Sequence, residues 1–501
     1  MTDDRPPPRP AALTFAERLL DPGSFRSWDT PVTDPDPGPD YAADLARARA
    51  RSGADEAALT GEGRIGGHRV ALLLSEFGFL GGSIGTATAA RLLHAVERAT
   101  AERLPLLGFP ASGGTRMQEG TPAFVRMIAI ANAVTAHKAA GLPYLVHLRH
   151  PTTGGVLASW GSLGQLTTAE PGALVGFLGP RVHQALYGEP FPEGVQRAEH
   201  LARFGTVDAV LPDAELRERL VAVLEVLAAS EVLTARGTSG PPTSDAPSGA
   251  DVGGVDVWES VRITRRPDRP GLAELLALAD RVVPLSGTGA GERDDAMRLA
   301  LARIAGASCV VVGHDRAAAA LHGPVGPGGL RTARRGMRLA AELRLPLLTV
   351  IDTHGAELSP AAEEGALAGE IARCVAELSA LPVPVVSLLL GEGAGGAALA
   401  LLPADRALAA QHAWLSPLPP EGASVILHRT PDHAPRLAAQ QRIGARELLR
   451  EGVVDRLVPE SPDLLAQLLP ALAAELAHAA RLVVPAARID RFRSLGSRLG
   501  G

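Results

Sequence analysis

The fold of this chain is decided at the stretch Ser112-Gly113-Gly114-Thr115-Arg116-Met117-Gln118-Glu119-Gly120. An apolar run at residues 104–109 precedes it and predicts a buried strand. The two adjacent glycines let the backbone turn where a Cβ atom would clash, and an apolar run with helical spacing begins at Phe124. A strand, a glycine pair and a helix start can aim free backbone N–H groups at an oxyanion. A tight turn without a chemical role is the alternative interpretation.

Composition limits the classes of protein to which the chain can belong. It has 501 residues, enough for two to four domains, and 46% of them are apolar. The formal charge of −6 does not fit a general nucleic-acid-binding surface. Lys138 is the single lysine, so phosphate binding would fall to arginine or backbone amides. The first residues do not resemble a signal peptide and no apolar run reaches about 20 residues, so we expect a cytoplasmic protein without a membrane partner.

The pattern along the chain predicts two tandem domains. Residues 1–13 are rich in proline and are expected to be disordered. Residues 14–233 alternate strand-like runs with helical periodicity, which is typical of an α/β domain with a largely parallel sheet. Residues 234–256 are rich in Gly, Ser, Pro, Thr and Asp and are predicted to be a linker. Residues 257–501 then form a second α/β domain.

The spacing of four prolines indicates that the second domain repeats the first. Pro105 and Pro143 each open a predicted strand, and they lie 38 residues apart. Pro346 and Pro384 open two strands of the second domain and are also 38 residues apart. A shared order of strand, glycine turn, helix, strand and glycine turn favours two copies of one fold.

Each domain carries two glycine turns about one helix apart. The separation is 41 residues from Gly113 to Gly154 and 40 residues from Gly355 to Gly395. Because successive parallel strands end at the same edge of a sheet, the two turns of a domain could supply convergent N–H groups, the minimum for an oxyanion hole. The sequence therefore predicts one such hole per domain, and the candidate catalytic residues are Gly113, Gly114, Gly154, Gly155, Gly355, Ala356, Gly395 and Gly396.

Other motifs support competing functions only weakly. Gly81-Gly82-Ser83-Ile84-Gly85 matches the string of a nucleophile elbow, but no His or Asp can be assigned as a partner of Ser83. Residues 61–66 and 391–396 fit a dinucleotide-binding string without its structural context. No metal is expected, because these histidines show no ligand spacing: His68, His94, His137, His147, His150 and His183. Helix capping is the expected role of most acidic residues beside the turns: Glu119, Glu170, Glu193, Glu392 and Glu421.

Longer motifs resemble a known family, the carboxyltransferase of bacterial acetyl-CoA carboxylase. Five segments of the first half look like its β subunit: the stretch from Gly61-Glu62-Gly63 through Gly82, SGGTRMQEG (112–120), PTTGGVLAS (151–159), AEPGALVGFLGPRV (169–182) and PEGVQRAEHL (192–201). Four segments of the second half look like its α subunit: RLPLLTVIDTHGAE (344–357), AEEGALAGEIAR (362–373), LPVPVVSLLLGEGAGGAALAL (381–401) and SPLPPEGASVILHR (416–429). The chain thus resembles the two subunits fused in the order β then α.

The resemblance implies a crotonase-like fold (a ββα superhelix) in each half and a defined reaction. The family transfers CO₂ from carboxybiotin, held on a biotin carboxyl carrier protein, to acetyl-CoA and so makes malonyl-CoA. Gly113-Gly114 with Gly154-Gly155 would serve the acyl-CoA, and Gly355-Ala356 with Gly395-Gly396 would serve biotin. The substrate-binding residues implied are Gly81, Gly82, Ser83, Ser112 and Arg116. Biotin carboxylase is an implied partner, and an assembly of at least two chains is expected, since the family shares each site between protomers.

Three departures from the family pattern keep other functions open. No cysteine precedes Cys309, so we expect no zinc ribbon of the kind found in the β subunit. His354 stands where the α subunit usually has proline, and the basic stretch of the α subunit is reduced to residues 313–316. The alternatives are carboxylation of another acyl-CoA such as propionyl-CoA, decarboxylation of a malonyl thioester, and a catalytically weakened scaffold or binding paralogue.

Overall fold

The chain contains two compact units, Met1–Leu224 and Glu225–Gly501. The computed structural model describes residues 9–32, 38–178, 183–184, 187–235, 256–479 and 485–499. Each unit is built on one large, mostly parallel sheet with helices packed against it, which agrees with the predicted α/β class. Most of the predicted linker lies outside the described residues.

The sheet of the first unit begins with antiparallel strands and continues with parallel ones. In chain order the elements are α1 (Ala11–Leu19), β1 (Arg26–Ser27), α2 (Pro39–Ser52), β2 (Ala58–Ile65), β3 (His68–Ser75), α3 (Thr86–Ala101), β4 (Leu106–Phe109), α4 (Gly120–Ala139), β5 (Tyr144–Leu148), β6 (Thr152–Thr153), α5 (Gly154–Leu157), β7 (Leu166–Ala169), β8 (Val175–Gly176), α6 (Ala198–Arg203), β9 (Ala209–Val210) and α7 (Asp213–Ala235). The strand order of the sheet is β1-β2-β3-β4-β5-β7-β9, and β6 pairs with β8 in a small separate sheet. The hairpin β2–β3 is antiparallel, whereas the paired strands from β3 to β9 run parallel.

The second unit follows the same plan on a larger scale. The elements are α8 (Val257–Thr264), α9 (Leu272–Ala277), β10 (Arg281–Leu285), β11 (Met297–Ile304), β12 (Ala307–His314), α10 (Arg316–His322), α11 (Pro327–Leu343), β13 (Leu347–Thr353), α12 (Pro360–Glu364), α13 (Leu367–Ser379), β14 (Val385–Ala394), α14 (Gly395–Leu399), β15 (Arg406–Ala410), β16 (Trp414–Ser416), α15 (Pro420–His428), α16 (Ala434–Gln440), α17 (Ala445–Glu451), β17 (Arg456–Val458), α18 (Leu464–Ala479) and α19 (Pro485–Leu499). The strand order of the sheet is β10-β11-β12-β13-β14-β15-β17, and β16 pairs with the end of β14. Strands β10, β11 and β12 pair antiparallel, and the remaining pairs are parallel.

The strands that lead to the glycine turns are buried along their whole length. Every residue of β4, β5, β13 and β14 is buried. A parallel strand covered by helices on both faces needs such a continuous apolar run, which is why these strands were recognisable in the sequence. Helix α4 begins at Gly120, four residues before the predicted Phe124, and Pro122 fits its first turn because proline needs no N–H partner there.

The proline repeat appears directly in the strand pairing. The carbonyl oxygen of Pro143 accepts a hydrogen bond from the Leu106 N–H at 2.9 Å, and that of Pro384 accepts one from the Leu347 N–H at 2.8 Å. The earlier proline of each unit makes the same bond to the preceding strand. Proline suits the first position of a strand because it has no N–H to pair. The two units therefore use one pairing scheme.

One prediction for the N-terminus needs correction. Residues 11–13 were expected to be disordered, but α1 begins at Ala11. Ala12 is buried, and its N–H donates to the Glu76 carboxylate at 2.9 Å. Phe15 and Leu19 lie on the same helix face and are also buried, so packing against the unit outweighs the proline-rich composition.

Candidate functional site

The two glycine turns of the first unit lie against each other. Ser112 and Thr152 form a parallel bridge, and Gly114 and Gly154 each follow two residues later. A Cβ atom on Gly114 would lie 3.4 Å from the Cα of Gly154 and 3.3 Å from the backbone nitrogen of Gly155. The space above Gly114 thus leads directly to the N–H of Gly155, and any side chain there would fill it.

Gly155 and Gly114 carry the donors of this turn pair. Gly155 is the second residue of α5, where backbone N–H groups have no partner within the helix. Among the described residues its N–H has no acceptor. The Gly114 N–H donates to the Ser112 hydroxyl at 3.0 Å, and Gly114 has a φ of +112°. Ser112 is completely buried, so its predicted part in substrate binding is replaced by a part in holding the turn.

The other predicted glycines shape the two turns. The N–H of Gly113 donates to the Gly81 carbonyl, and the N–H of Gly154 donates to the Phe177 carbonyl, each at 2.9 Å. A Cβ atom on Gly82 would lie 2.1 Å from a backbone carbonyl oxygen, which leaves room for glycine alone. These residues allow the segments to approach each other, and the N–H groups of Gly113 and Gly154 are already used.

Arg116, predicted to bind substrate, is instead a buried structural cation. Its side chain is 1% exposed and pairs with both oxygens of Glu56. It also contacts Glu119 at 3.3 Å and donates to the Ser83 carbonyl at 2.9 Å. Burial disfavours the charge, but the hydrogen bonds to Glu56 outweigh it and raise the pKa of Arg116. The guanidinium is enclosed, so it fixes the segment after Gly114 and cannot meet a ligand.

Ser83 lies beside this ion cluster. Its hydroxyl donates to the Leu80 carbonyl at 2.8 Å and accepts from Arg116 Nε at 3.3 Å. Neither partner can take a proton from the hydroxyl, so these contacts do not support a nucleophilic role. Glu119 caps α3 through the Thr86 N–H at 2.6 Å, as expected of an acidic residue at a helix start.

The second unit repeats the register of the first. Thr353 of β13 pairs with Gly393 of β14, and Gly355 and Gly395 each follow two residues later. The Gly355 N–H donates to the Thr353 hydroxyl at 3.2 Å, the counterpart of the bond made by Gly114. Both units therefore present two glycines from adjacent parallel strands at one sheet edge.

This register refines the pairing that was inferred from spacing. Gly355 has a φ of +136° and corresponds to Gly114, whereas Gly395, with a φ of +67°, corresponds to Gly154, with a φ of +64°. The separation is then 40 residues in both units. Gly113 is matched by His354, so Ala356 corresponds to Thr115 and lies one position beyond the glycine of the turn.

Gly155 and Gly396 have matching surroundings. Each is the second residue of a short helix, α5 or α14. A Cβ atom on Gly155 would lie 2.6 Å from the sulfur of Met127, and one on Gly396 would lie 2.6 Å from Cδ1 of Ile371. A Cβ atom at either position would displace the side chain packed under the helix start, which disfavours larger residues there.

A charged network that was not predicted lies beside the second turn. His354 Nδ1 is 2.8 Å from a Glu392 oxygen, and Arg265 Nε is 2.7 Å from the other. Arg265 also pairs with Glu421 at 2.5 Å. Glu392 and Glu421 were assigned to helix capping, but here they hold cations, because the strand end and the start of α15 approach Arg265. The departure at His354 was the signal in the sequence, and its partners were too distant along the chain to be recognised.

Asp352 fixes the backbone of Glu392 in this network. It is buried, one carboxylate oxygen accepts the Glu392 N–H at 3.1 Å, and Arg316 Nε lies 3.7 Å from the other. Burial raises the pKa of Asp352 to about 6, although Arg316 partly opposes this. The carboxyl group therefore changes charge near the strand end that carries the second turn.

The cysteines and two of the histidines named above lie in the protein interior. Cys309 and Cys374 are buried free thiols. His137 and His147 are buried, and burial lowers their pKa values to about 4 and about 3. Within the described ranges, no group of three or more His, Cys, Asp or Glu side chains is arranged to hold a metal ion. None of the described helices combines the length and apolar character needed to cross a membrane.

Comparison with protein families gives a match in each unit. Residues 9–228 match the carboxyl transferase domain, and residues 251–481 match the family described as acetyl co-enzyme A carboxylase carboxyltransferase-like. A β-like and an α-like carboxyltransferase domain are therefore fused in this chain, as the motifs predicted.

Similar proteins and solved structures agree with these matches. A probable biotin-dependent acyl-coenzyme A carboxylase beta3 subunit from Mycobacterium tuberculosis is 55% identical over 496 residues, covering 95% of this chain and 97% of that protein. The acetyl-coenzyme A carboxylase carboxyl transferase subunits beta/alpha of Salinispora arenicola are 40% identical over 510 residues, covering 96% of this chain and 90% of that protein. The transcarboxylase 12S structure superposes with a TM-score of 0.72 at 20% identity, covering 94% of this chain and 89% of that one, and confirms the crotonase-like fold.

Each unit thus joins a glycine-turn geometry suited to oxyanions with the fold and sequence of a carboxyltransferase half. The 55% identity over nearly the whole chain shows the family as well as the fold. The chain belongs to the biotin-dependent acyl-CoA carboxylase carboxyltransferases.

Proposed function

We propose that this chain transfers CO₂ from carboxybiotin on a carrier protein to acetyl-CoA, giving malonyl-CoA for fatty-acid or polyketide synthesis. The observation that carries the proposal is the repeated register, in which Gly114 and Gly154 of one unit match Gly355 and Gly395 of the other. Two oxyanions form in this reaction, one on the thioester carbonyl and one on the biotin ureido group. Two equivalent turns supply one backbone site for each.

The first turn is assigned to the thioester. The Gly155 N–H has no acceptor among the described residues. The Gly114 N–H would exchange its hydrogen bond to the Ser112 hydroxyl for one to the thioester oxygen. Donors aimed at the carbonyl oxygen stabilise the enolate that forms when the α-carbon loses its proton, and each contributes roughly 3 kcal/mol in comparable enzymes. The space that a Cβ atom on Gly114 would fill lets the thioester oxygen approach the Gly155 N–H.

The second turn is assigned to the ureido oxygen of biotin. Biotin supplies the carboxyl group and, once that group has left, a nitrogen able to take the α-proton. Gly355 and Gly396 lie at this turn at one sheet edge, and the charged network of His354, Glu392 and Arg265 includes the residue next to Gly355. The residues of this unit thus bind and orient the donor.

Acetyl-CoA is proposed over longer substrates because of the beta/alpha relatives. The Salinispora arenicola protein is named for acetyl-coenzyme A, whereas the Mycobacterium tuberculosis protein is named only for an acyl-coenzyme A. Propionyl-CoA carboxylation and decarboxylation of a malonyl thioester remain the alternative activities. A scaffold or binding paralogue is the alternative of another class, and catalysis is proposed over it because the first turn keeps the open N–H of Gly155 beside Gly114.

Carrier and assembly follow from the same proposal. We expect a biotin carboxyl carrier protein and a biotin carboxylase as partners in the cytoplasm. A homodimer or larger assembly is expected, and the hexamer named for transcarboxylase 12S is one form it could take. Sedimentation velocity of the purified chain would test this, and a monomer at micromolar concentration would contradict it.

The decisive assay supplies a carboxylated biotin carrier together with acetyl-, propionyl- or a longer acyl-CoA. The expected result is carboxyl transfer with the highest kcat/KM for acetyl-CoA. A higher kcat/KM for another acyl-CoA would reassign the substrate. No transfer to any acyl-CoA with a competent carrier would refute the carboxyltransferase proposal.

A further inference from the structure

His354 gives the second turn an imidazole at a position where the first turn has no side chain. His354 immediately precedes Gly355, and the residue that corresponds to His354 in the first unit is Gly113. The His354 side chain is 67% exposed, although its Nδ1 is fixed 2.8 Å from Glu392. The other ring nitrogen, Nε2, has no hydrogen-bond partner among the described residues. An anchored imidazole thus presents one unused nitrogen next to the turn glycine.

The anchor of His354 is itself held in place. Glu392 is 5% exposed and lies on β14 one residue before Gly393, which pairs with Thr353. Arg265, at the end of α8, holds the second oxygen of Glu392. The Glu392 N–H donates to Asp352, so the backbone at this point is fixed as well. A carboxylate fixed by Arg265, on a backbone fixed by Asp352, defines the direction of the imidazole.

The charges around His354 favour its protonated form. The hydrogen bond to Glu392 raises the pKa of His354, burial and Arg265 oppose the rise, and Glu421 on α15 adds to it. Burial disfavours the charge on Glu392, but His354 and Arg265 outweigh it and lower the pKa of Glu392. Asp352 below the strand end is the other titratable group of this cluster. With Nδ1–H given to the carboxylate, protonation places the exchangeable proton on Nε2.

We propose that His354 is a catalytic hydrogen-bond donor of the second turn, and that its Nε2–H binds the oxyanion of the ligand held beside Gly355. This rests on the proposed function, in which that oxyanion is the ureido oxygen of biotin. As the bond between the ureido nitrogen and the carboxyl carbon breaks, the electron pair stays on the ureido group and its oxygen becomes a stronger acceptor. No bond to His354 forms or breaks; the charged donor supplements the backbone donors.

The kinetic test compares His354→Gln and His354→Ala with His322→Gln, which changes an exposed histidine of the same unit. We expect His354→Ala to lower kcat about 10–100-fold, less than the largest losses for a buried oxyanion donor because this side chain faces solvent. The KM for acyl-CoA should stay within about twofold, since the thioester is assigned to the other turn. Unchanged kcat in His354→Ala would overturn the proposal.

The pH profile separates a donor from a structural residue. Because the hydrogen bond to Glu392 raises the pKa of His354, the imidazole keeps its proton to a higher pH than an ordinary histidine and loses it as the pH rises through that pKa. The wild-type rate should therefore fall on the alkaline side, and His354→Gln should remove that limb while keeping part of the rate through its neutral amide. An alkaline limb that persists in His354→Gln would contradict the assignment.

A binding measurement keeps this test independent of turnover. In protein labelled with ¹³C-histidine, free biotin should shift the ring resonance of His354, and the shift should disappear in Gly396→Val. Glu392→Gln should lower the pKa measured for the same resonance. If biotin shifts His354 but no acyl-CoA is carboxylated, the proposed reaction fails and the donor stands. If carboxylation occurs without a shift at saturating biotin, the donor fails and the reaction stands.

Discussion

The turns of the first and second units share a backbone but differ in the side chains around them. In the first unit, Gly113 contributes no side chain and Arg116 is enclosed with Glu56 under the turn. In the second, His354 and Arg265 are partly exposed and share Glu392. The same fold thus places no exposed charged side chain of this kind at the first turn and places His354 and Arg265 beside the second. The contrast fits a neutral thioester at the first and a ureido group that gains charge at the second.

The largest expected effect tests whether the turn glycines are needed for chemistry. Gly114→Val should lower carboxyl transfer about 100–1,000-fold, because the φ of +112° disfavours a side chain and the new atoms would block the Gly155 N–H. Gly113→Ala is the matched control, since a Cβ there would meet nothing nearer than 3.7 Å. Its rate should stay within about threefold of wild type. Circular dichroism would verify that both variants fold, and equal rates for both would break the comparison.

Replacing Arg116 should lower the free energy of unfolding more than replacing Arg265. Arg116→Met leaves Glu56 buried without its cation and should lower the free energy of unfolding by about 3–5 kcal/mol. Arg265→Met removes a cation that is 30% exposed while Glu392 keeps His354, so a loss below about 2 kcal/mol is expected. Urea denaturation measures both. Adding Glu56→Gln to Arg116→Met should recover part of the loss, and no recovery would contradict the buried-charge explanation.

Asp352 should make the second unit sensitive to pH, with no counterpart in the first turn. A carboxyl whose pKa is raised to about 6 contributes stability below its unfolded pKa near 3.8 and loses that contribution as the pH rises to about 6. Asp352→Asn should therefore become progressively more stable relative to wild type between pH 4 and pH 7. Denaturation midpoints at several pH values check the trend. A difference that does not vary with pH would show that Asp352 has the same pKa in both states.

The smallest effect concerns the hydroxyl that each turn shares. Ser112→Ala and Thr353→Val remove the acceptor of the Gly114 and Gly355 N–H groups and should each cost about 1 kcal/mol of stability. Thr135→Val, on the exposed face of α4, serves as a control because its hydroxyl bonds only to its own helix. Thermal melts would measure the three variants. A large difference between Ser112→Ala and Thr353→Val would mean that the turns are less alike than their register indicates.

Features set by local geometry were readable in the sequence. Pro143 and Pro384 mark strand starts because proline lacks an N–H, and Gly114 and Gly355 mark turns that other residues adopt with strain. The continuous apolar runs of the central strands follow from burial on both faces. These local rules sufficed for the fold class, the repeat and the position of both turns.

Features that depend on distant partners were not readable. Arg116 looked available for a ligand because Glu56 lies 60 residues earlier in the chain. His354 and Glu392 are 38 residues apart and meet only because β13 and β14 are adjacent. The one-residue error in matching Gly113 with Gly355 arose because spacing counts glycines, whereas the structure aligns the hydroxyls of Ser112 and Thr353.

The central claim is that the two turns serve different ligands, and one partial reaction tests it directly. Release of CO₂ from a carboxylated biotin carrier in the absence of acyl-CoA needs only the turn that holds biotin. We predict that Gly396→Val abolishes this release and that Gly114→Val leaves it intact, although both variants lose transfer to acetyl-CoA. Equal loss of CO₂ release in both variants, or loss in Gly114→Val alone, would contradict the division of labour between the two units.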